Sequence, residues 1–437
     1  MKLFTLLFCM IIISACTSTG DDSLLLNPQD SLSNEVEEVV ENTTPAELPE
    51  RMSTELIELE LSELEKNISN GSNAFAIKWF KQAIQTTDQR NLVLSPLSAS
   101  YALAMTANGA KGNTLSEFKS VLGFADYTLD EVNAFYKKIT NHLLTSDGQT
   151  ILGIANSIWV NQLYQLQPDF ITTNKEYYSA EVRAIDCLDS PTTLAVVNQW
   201  VSDKTYGRIP SILDKVEPSD RVYLINALYF DGLWLSPMTE GWTINFTNDD
   251  GKIVPIPVIG QKRSMNYFTD EEVEIASADY GNRTYSMVVI MPKENLSIQR
   301  VIESLTSEKW QMWMERQKKE NLFFKLPIFK LDSSRELKDD LEALGLLTAF
   351  NDKANFTNMI QEKGIALSQV IQKANIDVNK YGTTASAATL VKNMWISDFG
   401  SSEEPTYIDF LVNRPFIFAI RENSTNTILF MGKVGKL

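Results

Sequence analysis

The sequence predicts an α+β fold built as one large domain, and three observations carry that prediction. Runs with apolar residues at helical spacing come early in the chain, whereas β-branched and aromatic runs bounded by turn residues dominate its C-terminal half. From about residue 62 onward no Pro/Gly/Ser linker, repeat or low-complexity stretch divides the chain. Of the 437 residues 44% are hydrophobic and 22% charged, a balance that supplies a substantial core and excludes a disordered protein.

The first element precedes the fold. Lys2 gives a small positive start, residues 3–13 are apolar, and Ser14-Ala15-Cys16 closes the run with small residues and a thiol, which reads as an export signal. The run is shorter than the roughly 20 residues a spanning helix needs. "ISAC" resembles a bacterial lipobox, so Cys16 is the expected lipidation site and a lipid anchor in the bacterial cell envelope, at the outer membrane or cell surface, is the expected location. Residues 21–60 carry twelve acidic residues against Arg51 alone. Such a run repels itself and stays solvated, so residues 17–65 are expected to be an acidic flexible tether, with its last part as a possible helix start.

The domain then occupies residues 66–437. "NAFAIKWFKQAIQ" places Phe75, Ile77, Phe80 and Ile84 at helical spacing, and "SASYALAMTANGA" starts after Pro96 and stops at Gly109; both predict helices. "ILGIANSIWV", "RVYLINALYF", "YSMVVIMP", "NLFFKLPIFKL" and "IDFLVNRPFIFAIREN" predict strands with largely antiparallel pairing.

Several chemistries are excluded. A net charge of -17 opposes the clustered cations that nucleic-acid binding needs. His142 is the one histidine, so His-rich zinc sites are absent and any His-dependent triad must use it. No P-loop, GxGxxG, CxxC or GxSxG motif occurs, and no cofactor or metal is expected. The pairs Asp339-Asp340 and Glu271-Glu272 read as solvated turns rather than the separated carboxylates of a glycosidase. With Cys9 in the signal and Cys16 lipidated, Cys187 has no partner and reads as a small buried hydrophobe.

The informative stretch is residues 379–405, "NKYGTTASAATLVKNMWISDFGSSEEP". After the permissive Gly382, strand register puts Thr383, Ala385, Ala387, Thr389 and Val391 on one face, all small or β-branched and uncharged. That is a central-strand pattern in a place where the following Gly-Ser-Ser-Glu-Glu-Pro run predicts a loop.

Here the sequence resembles the serpin family. The carrying segments are "NLVLSPLSASYALAMTANGAKGNT", "VNQWVSDKTYGRIPSILDK", "VYLINALYFDGLW", "GTTASAAT" and "NRPFIFAIRENSTNTILFMGKV", in order and at familiar spacing across residues 66–437. The resemblance implies three β-sheets with about nine helices and an exposed reactive-centre loop, in a protein that is not an enzyme but a protease inhibitor. A target serine protease cleaves the loop and is held as an acyl-enzyme while the freed stretch inserts into the main sheet. Strand addition and release of stored strain are the physics involved. An inserted strand over residues 383–396 spans about 46 Å at about 3.3 Å per residue. A monomer is expected.

Carried over by residue, Gly382 and Thr383 match the hinge and residues 385–388, with Ala388, the small-residue run. Ser95, Pro96, Ser98 and Asn226 match the region under the sheet where it opens, Gln372 stands where the family often has histidine, and Trp234 matches the aromatic where insertion begins. A family-typical loop length places the reactive bond at Ile396-Ser397; other registers place it at Trp395, Met394 or Phe399, all apolar, or at Lys392. The apolar registers imply an elastase-like or chymotrypsin-like target, Lys392 a trypsin-like one. The family's usual acid two residues before the hinge glycine is Lys380 here, and its frequent basic partner is Ile328, so that pair is lost together. The alternatives are a non-inhibitory binding or scaffold member and an inhibitor of papain-like cysteine proteases.

Overall fold

The computed structural model describes residues 48–384 and 405–437, all within one unit that spans Pro45–Leu437. Cys16 and the export signal lie outside the described residues. The first helix, α1 (Glu63–Gln85), begins at a capping box in which Ser62 and Glu65 exchange side-chain and backbone hydrogen bonds. Strand β1 (Asn91–Leu94) leads into α2 (Pro96–Ala107), where Pro96 occupies the first turn, the position at which a missing N–H costs nothing. Next come α3 (Gly112–Val121) and α4 (Leu129–Thr145), the latter opened by a second capping box, Thr128 with Glu131.

The middle of the chain alternates strands and helices. It runs through β2 (Thr150–Asn161), α5 (Pro168–Tyr178), β3 (Glu181–Ile185), α6 (Ser190–Lys204) and β4 (Val222–Leu233). A run of strands follows: β5 (Thr239–Thr247), β6 (Ile253–Thr269), β7 (Val273–Asp279) and β8 (Tyr285–Pro292). Helices α7 (Ile298–Ser304) and α8 (Ser307–Arg316) lead to β9 (Lys318–Pro327), β10 (Phe329–Glu336) and α9 (Lys338–Leu344). The chain closes with β11 (Gln369–Val378), β12 (Gly382–Thr383), β13 (Ile408–Leu411), β14 (Phe416–Glu422) and β15 (Ile428–Val434). Nine α-helices among the described residues agree with the expected number.

Hydrogen bonding joins the strands into two sheets. One has six strands in the order β10-β11-β12-β4-β2-β3; the other has nine and runs β1-β15-β14-β8-β7-β6-β9-β13, with β5 on β6. The expected third sheet is continuous with the second because β6 serves both. Its first half pairs with β5 and β9, whereas its end, from Asn266 to Thr269, pairs with β7. The strand runs "NLFFKLPIFKL" and "IDFLVNRPFIFAIREN" each divide at a proline, β9 from β10 after Pro327 and β13 from β14 near Pro415. Proline removes a ladder donor, so the chain changes direction there.

The main core lies between the sheets and helices. A second cluster, with Trp159, Val197, Val201, Tyr223 and Ile225, packs α6 on the other face of the six-stranded sheet. β4 is therefore buried on both faces, which accounts for its nearly unbroken apolar run. Cys187 is buried in this second cluster, and its thiol is pushed up to about 11 by burial, with Asp220 and Asp186 adding to the shift.

The acidic spacer ends earlier than residue 65. The Arg51 side chain is buried and donates to the Gln149 carbonyl, to the Asp231 carbonyl at 3.0 Å and to the Asp231 carboxylate. Met52 N bonds Gly148 O at 2.9 Å, and Thr54 Oγ1 accepts from Gly148 N at 3.0 Å. Residues 51–55 thus cross the ends of β2 and β4, and residues 55–62 are not helical. Charge counting over the run misses this, because its one cation is the residue that finds a buried carboxylate.

Candidate functional site: the hinge and the sheet opening

β4 and β11 run parallel and pair only in part of their length, Gln369–Lys373 of β11 opposite Tyr223–Ala227 of β4. Beyond that they diverge, and β12 occupies the top of the gap. Gly382 pairs with Leu233, and Thr383 pairs with Gly232 on one side and Val378 on the other, antiparallel to both strands. The two residues that the resemblance assigns to the hinge are already sheet residues.

Gly382 is required there by close approach: a Cβ would stand 2.0 Å from the Gly232 carbonyl oxygen. Thr383 is fully buried, and its hydroxyl hydrogen-bonds the hydroxyl of Tyr280. Tyr280 stacks on Trp234, ring centroids 4.4 Å apart, and burial holds its phenol well above the usual range, so it stays neutral. Trp234 Nε1 donates to Asn379 O at 2.8 Å, Trp234 N to Tyr381 O at 2.9 Å and Met238 N to Lys380 O at 2.9 Å. The turn that delivers the hinge is therefore stitched to the chain that leaves β4. Thr384 has φ +60°, a left-handed conformation that a β-branched residue adopts only under constraint, at the point where the chain leaves the ladder.

Lys380 finds a partner that the sequence reading lacks. Its ammonium lies 2.5 Å from the Glu240 carboxylate on β5, which raises the Lys380 pKa, and it lies over the Tyr381 ring. Ile328 packs against the main core as an ordinary apolar residue. The family's pair is lost, and a pair of the same kind is rebuilt from another strand.

Beneath the sheet, Ser95, Ser98, Asn226 and Gln372 are all buried. Gln372 uses both ends of its amide on one residue, accepting from Ser95 N at 3.0 Å and donating to Ser95 O at 2.6 Å. Ser95 Oγ donates to Leu429 O at 3.0 Å, which ties the start of α2 to β15. Asn226 lies opposite Gln372 across the β4–β11 ladder and opposite Asn156 across the β4–β2 ladder, and its amide donates to Asn156 Oδ1. The Asn226 Oδ1 and Ser98 Oγ atoms have no partner among the described residues. The structure thus brings Ser95, Asn226 and Gln372 together and places Pro96 at the helix start beside them. It puts Gly382, Thr383 and Trp234 at the other end of the same gap.

Sequence reasoning missed Asn156, Tyr280 and Glu240. Asn156 was legible as the lone amide inside "ILGIANSIWV"; Tyr280 and Glu240 sit in turn and edge segments that carry no pattern. Ala385, Ala387, Ala388, Thr389, Val391, Lys392, Met394, Trp395, Ile396, Ser397 and Phe399 lie outside the described residues. Among the described residues no cluster of three or more potential ligands forms a metal site, and no helix is long and apolar enough to cross a membrane.

A family model described as serpin (serine protease inhibitor) matches residues 70–437. Serpin B8 of Homo sapiens is 32% identical over 377 residues, covering 84% of this chain and 98% of that protein. The leukocyte elastase inhibitor of Homo sapiens is 30% identical, with 84% and 99% covered. Among solved structures, the native state of tengpin, a thermophilic serpin, matches with a TM-score of 0.77 at 32% identity, over 88% of this chain and 97% of that one. Matched over residues 70–437, with Gly382 and Thr383 standing between two parted strands, this chain belongs to the serpin family of serine protease inhibitors.

Proposed function

We propose that this serpin is inhibitory and traps an elastase-like or chymotrypsin-like serine protease. Cleavage falls near Ile396-Ser397, after which the freed segment fills the gap between β4 and β11 and parts the short ladder that joins them below it. The observation that carries the reading is β12, which fixes the register in advance. With Thr383 opposite Gly232 and Val378, counting on puts Ala385 between Phe230 and Ile376, Ala387 between Leu228 and Ala374, and Thr389 between Asn226 and Gln372. Thr383 faces the main core, and alternation turns Ala385, Ala387, Thr389 and Val391 the same way, where small uncharged side chains fit. Thr389 arrives beside the unpartnered Asn226 Oδ1 and supplies the hydroxyl donor that this buried oxygen lacks. The same count carries residues 394–396 past the first residues of β4 and β11, so the laddered part ends near residue 393.

The name leukocyte elastase inhibitor, borne by several relatives, supports an elastase-like target. The proposal extends to a monomer held in a bacterial envelope by a lipid on Cys16; radiolabelled palmitate incorporated by the wild type and not by C16S is the expected result. For trapping, the chain from Asp21 is incubated with elastase-like, chymotrypsin-like, trypsin-like and papain-like proteases. A denaturant-stable band at the summed mass less that of a released fragment beginning at Ser397 is expected with the first or second. Quantitative cleavage without that band in every case overturns the inhibitory reading.

A further inference from the structure

Asn248, in the turn between β5 and β6, is 3% exposed. Its Oδ1 accepts from Leu437 N at 3.0 Å, which fixes the orientation of the amide, because a flipped one would set its NH2 against that N–H. The group left over is therefore a donor, and Nδ2 reaches no acceptor among the described residues. A buried donor without a partner costs free energy, so the position favours a molecule that brings an acceptor.

Asn248 lines a cavity of about 600 Å³ at the end of β5 opposite the Lys380–Glu240 pair. Two cations on its wall also have donors to spare. The side chain of Lys433, on β15, is 13% exposed; its ammonium makes no hydrogen bond among the described residues and lies 3.8 Å from Asp249 Oδ2. Arg414 donates from Nε to Pro292 O and from Nη1 to Asn413 Oδ1, both at 2.9 Å, while Nη2 stands 3.8 Å from the Glu274 carboxylate. Asp249 itself lies nearer Arg90, at 3.4 Å. Leu296, Ile298 and Pro415 supply an apolar side. A carboxylate that carries a second acceptor and a short apolar group matches this lining. The carboxylate takes the cations in charge-assisted contacts, the second acceptor takes the Asn248 amide, and the apolar group lies on Leu296 and Ile298. Glu294, exposed at the mouth, disfavours a polyanion.

We propose that this cavity binds a small N-acylated amino acid with an apolar side chain, its carboxylate recognised by Lys433 and Arg414 and its acyl oxygen by Asn248. The site stands apart from the hinge and is independent of whether the loop traps a protease.

The test titrates the chain from Asp21, which retains every described residue, with three probes read by calorimetry. Saturable binding of N-acetyl-leucine is expected. Two probes are expected to bind about tenfold or more weakly, because each lacks one acceptor: N-acetyl-leucinamide has no carboxylate, and 4-methylpentanoate has no acyl amide. N248D keeps an oxygen for Leu437 N and replaces the free donor by an anion, and K433M removes the ammonium; each is expected to weaken N-acetyl-leucine by a similar factor. Equal binding of either comparison probe, undiminished binding by either folded variant, or no saturable signal with N-acetyl-leucine overturns the proposal. Should both variants fail to fold by circular dichroism, the three probes on the wild type decide.

Discussion

At the residue scale, the hinge depends on Thr383 being both small and uncharged. Its side chain is fully buried against Tyr280, so T383E has to bury a carboxylate beside a neutral phenol. The expected outcome is a folded protein whose hinge leaves the sheet: cleavage by the target continues, while the moles of inhibitor consumed per mole of protease trapped rise about tenfold or more. A second residue sets acid sensitivity. Burial pushes the Glu422 carboxyl up, but the His142 ring 3.3 Å away and hydrogen bonds from Thr425 and Ser424 more than reverse this, so its pKa lies below the ordinary value. A carboxylate lowered in the folded state contributes stability that is present above the unfolded value of about 4.3 and lost as pH falls through the folded one. E422Q is therefore expected to lower Tm at pH 7 and to flatten the fall of Tm below about pH 4.3, read by calorimetry across that range. The burial of Cys187 was legible in the sequence because a thiol without a partner or a nearby histidine packs as a small hydrophobe, and Gln372 was picked out by the resemblance alone. The pairing of Lys380 was not legible, since its partner Glu240 lies 140 residues away on an edge strand and nothing local points to it.

At the element scale, helices and strands with a strong period were legible, and boundaries set by long-range contacts were not. The period-2 and apolar runs identified β2, β4 and β8 directly, and the start of α1 moved forward to Glu63 only because Ser62 and Glu65 form a box. The segment over residues 51–55 shows the limit. Its composition says solvated tether, yet Arg51 and Asp231 have side chains 4% and 0% exposed. Removing one partner of a buried pair leaves the other uncompensated, at a cost of about 3–5 kcal/mol. A chain beginning at Leu48 is expected to match the stability of one beginning at Asp21, whereas a chain beginning at Ser53, or the R51M variant, is expected to lose that amount in urea unfolding. Equal midpoints for all four proteins would show that Arg51 does not anchor the segment. The anchor lies one residue before Gly232, the partner of Thr383, so the same variants report whether β4 must be held for the hinge to dock.

At the scale of the whole molecule, the described residues leave a place in the main sheet between β4 and β11. β4 and β11 part above Lys373 and Ala227, and among the described residues only Gly382 and Thr383 stand between them. Filling that place and parting the five β4–β11 pairs below it adds about ten residues laddered on both sides; with the parted pairs set against the new ones, at a net contribution near 1 kcal/mol per hydrogen bond the gain is about 10 kcal/mol or more. Domains of about 150–250 residues shift by about 2–4 °C per kcal/mol and larger ones by less, so cleavage in the loop is expected to raise Tm by at least about 10 °C. Scanning calorimetry of the intact and the nicked protein measures this directly, with T383E as the control in which the rise is lost because the hinge cannot lead the strand in. A nicked wild type that melts at the intact temperature would mean that the gap is a static feature of the sheet. That result would make the loop bait without a trap, and the function would then rest on the binding or scaffold alternative.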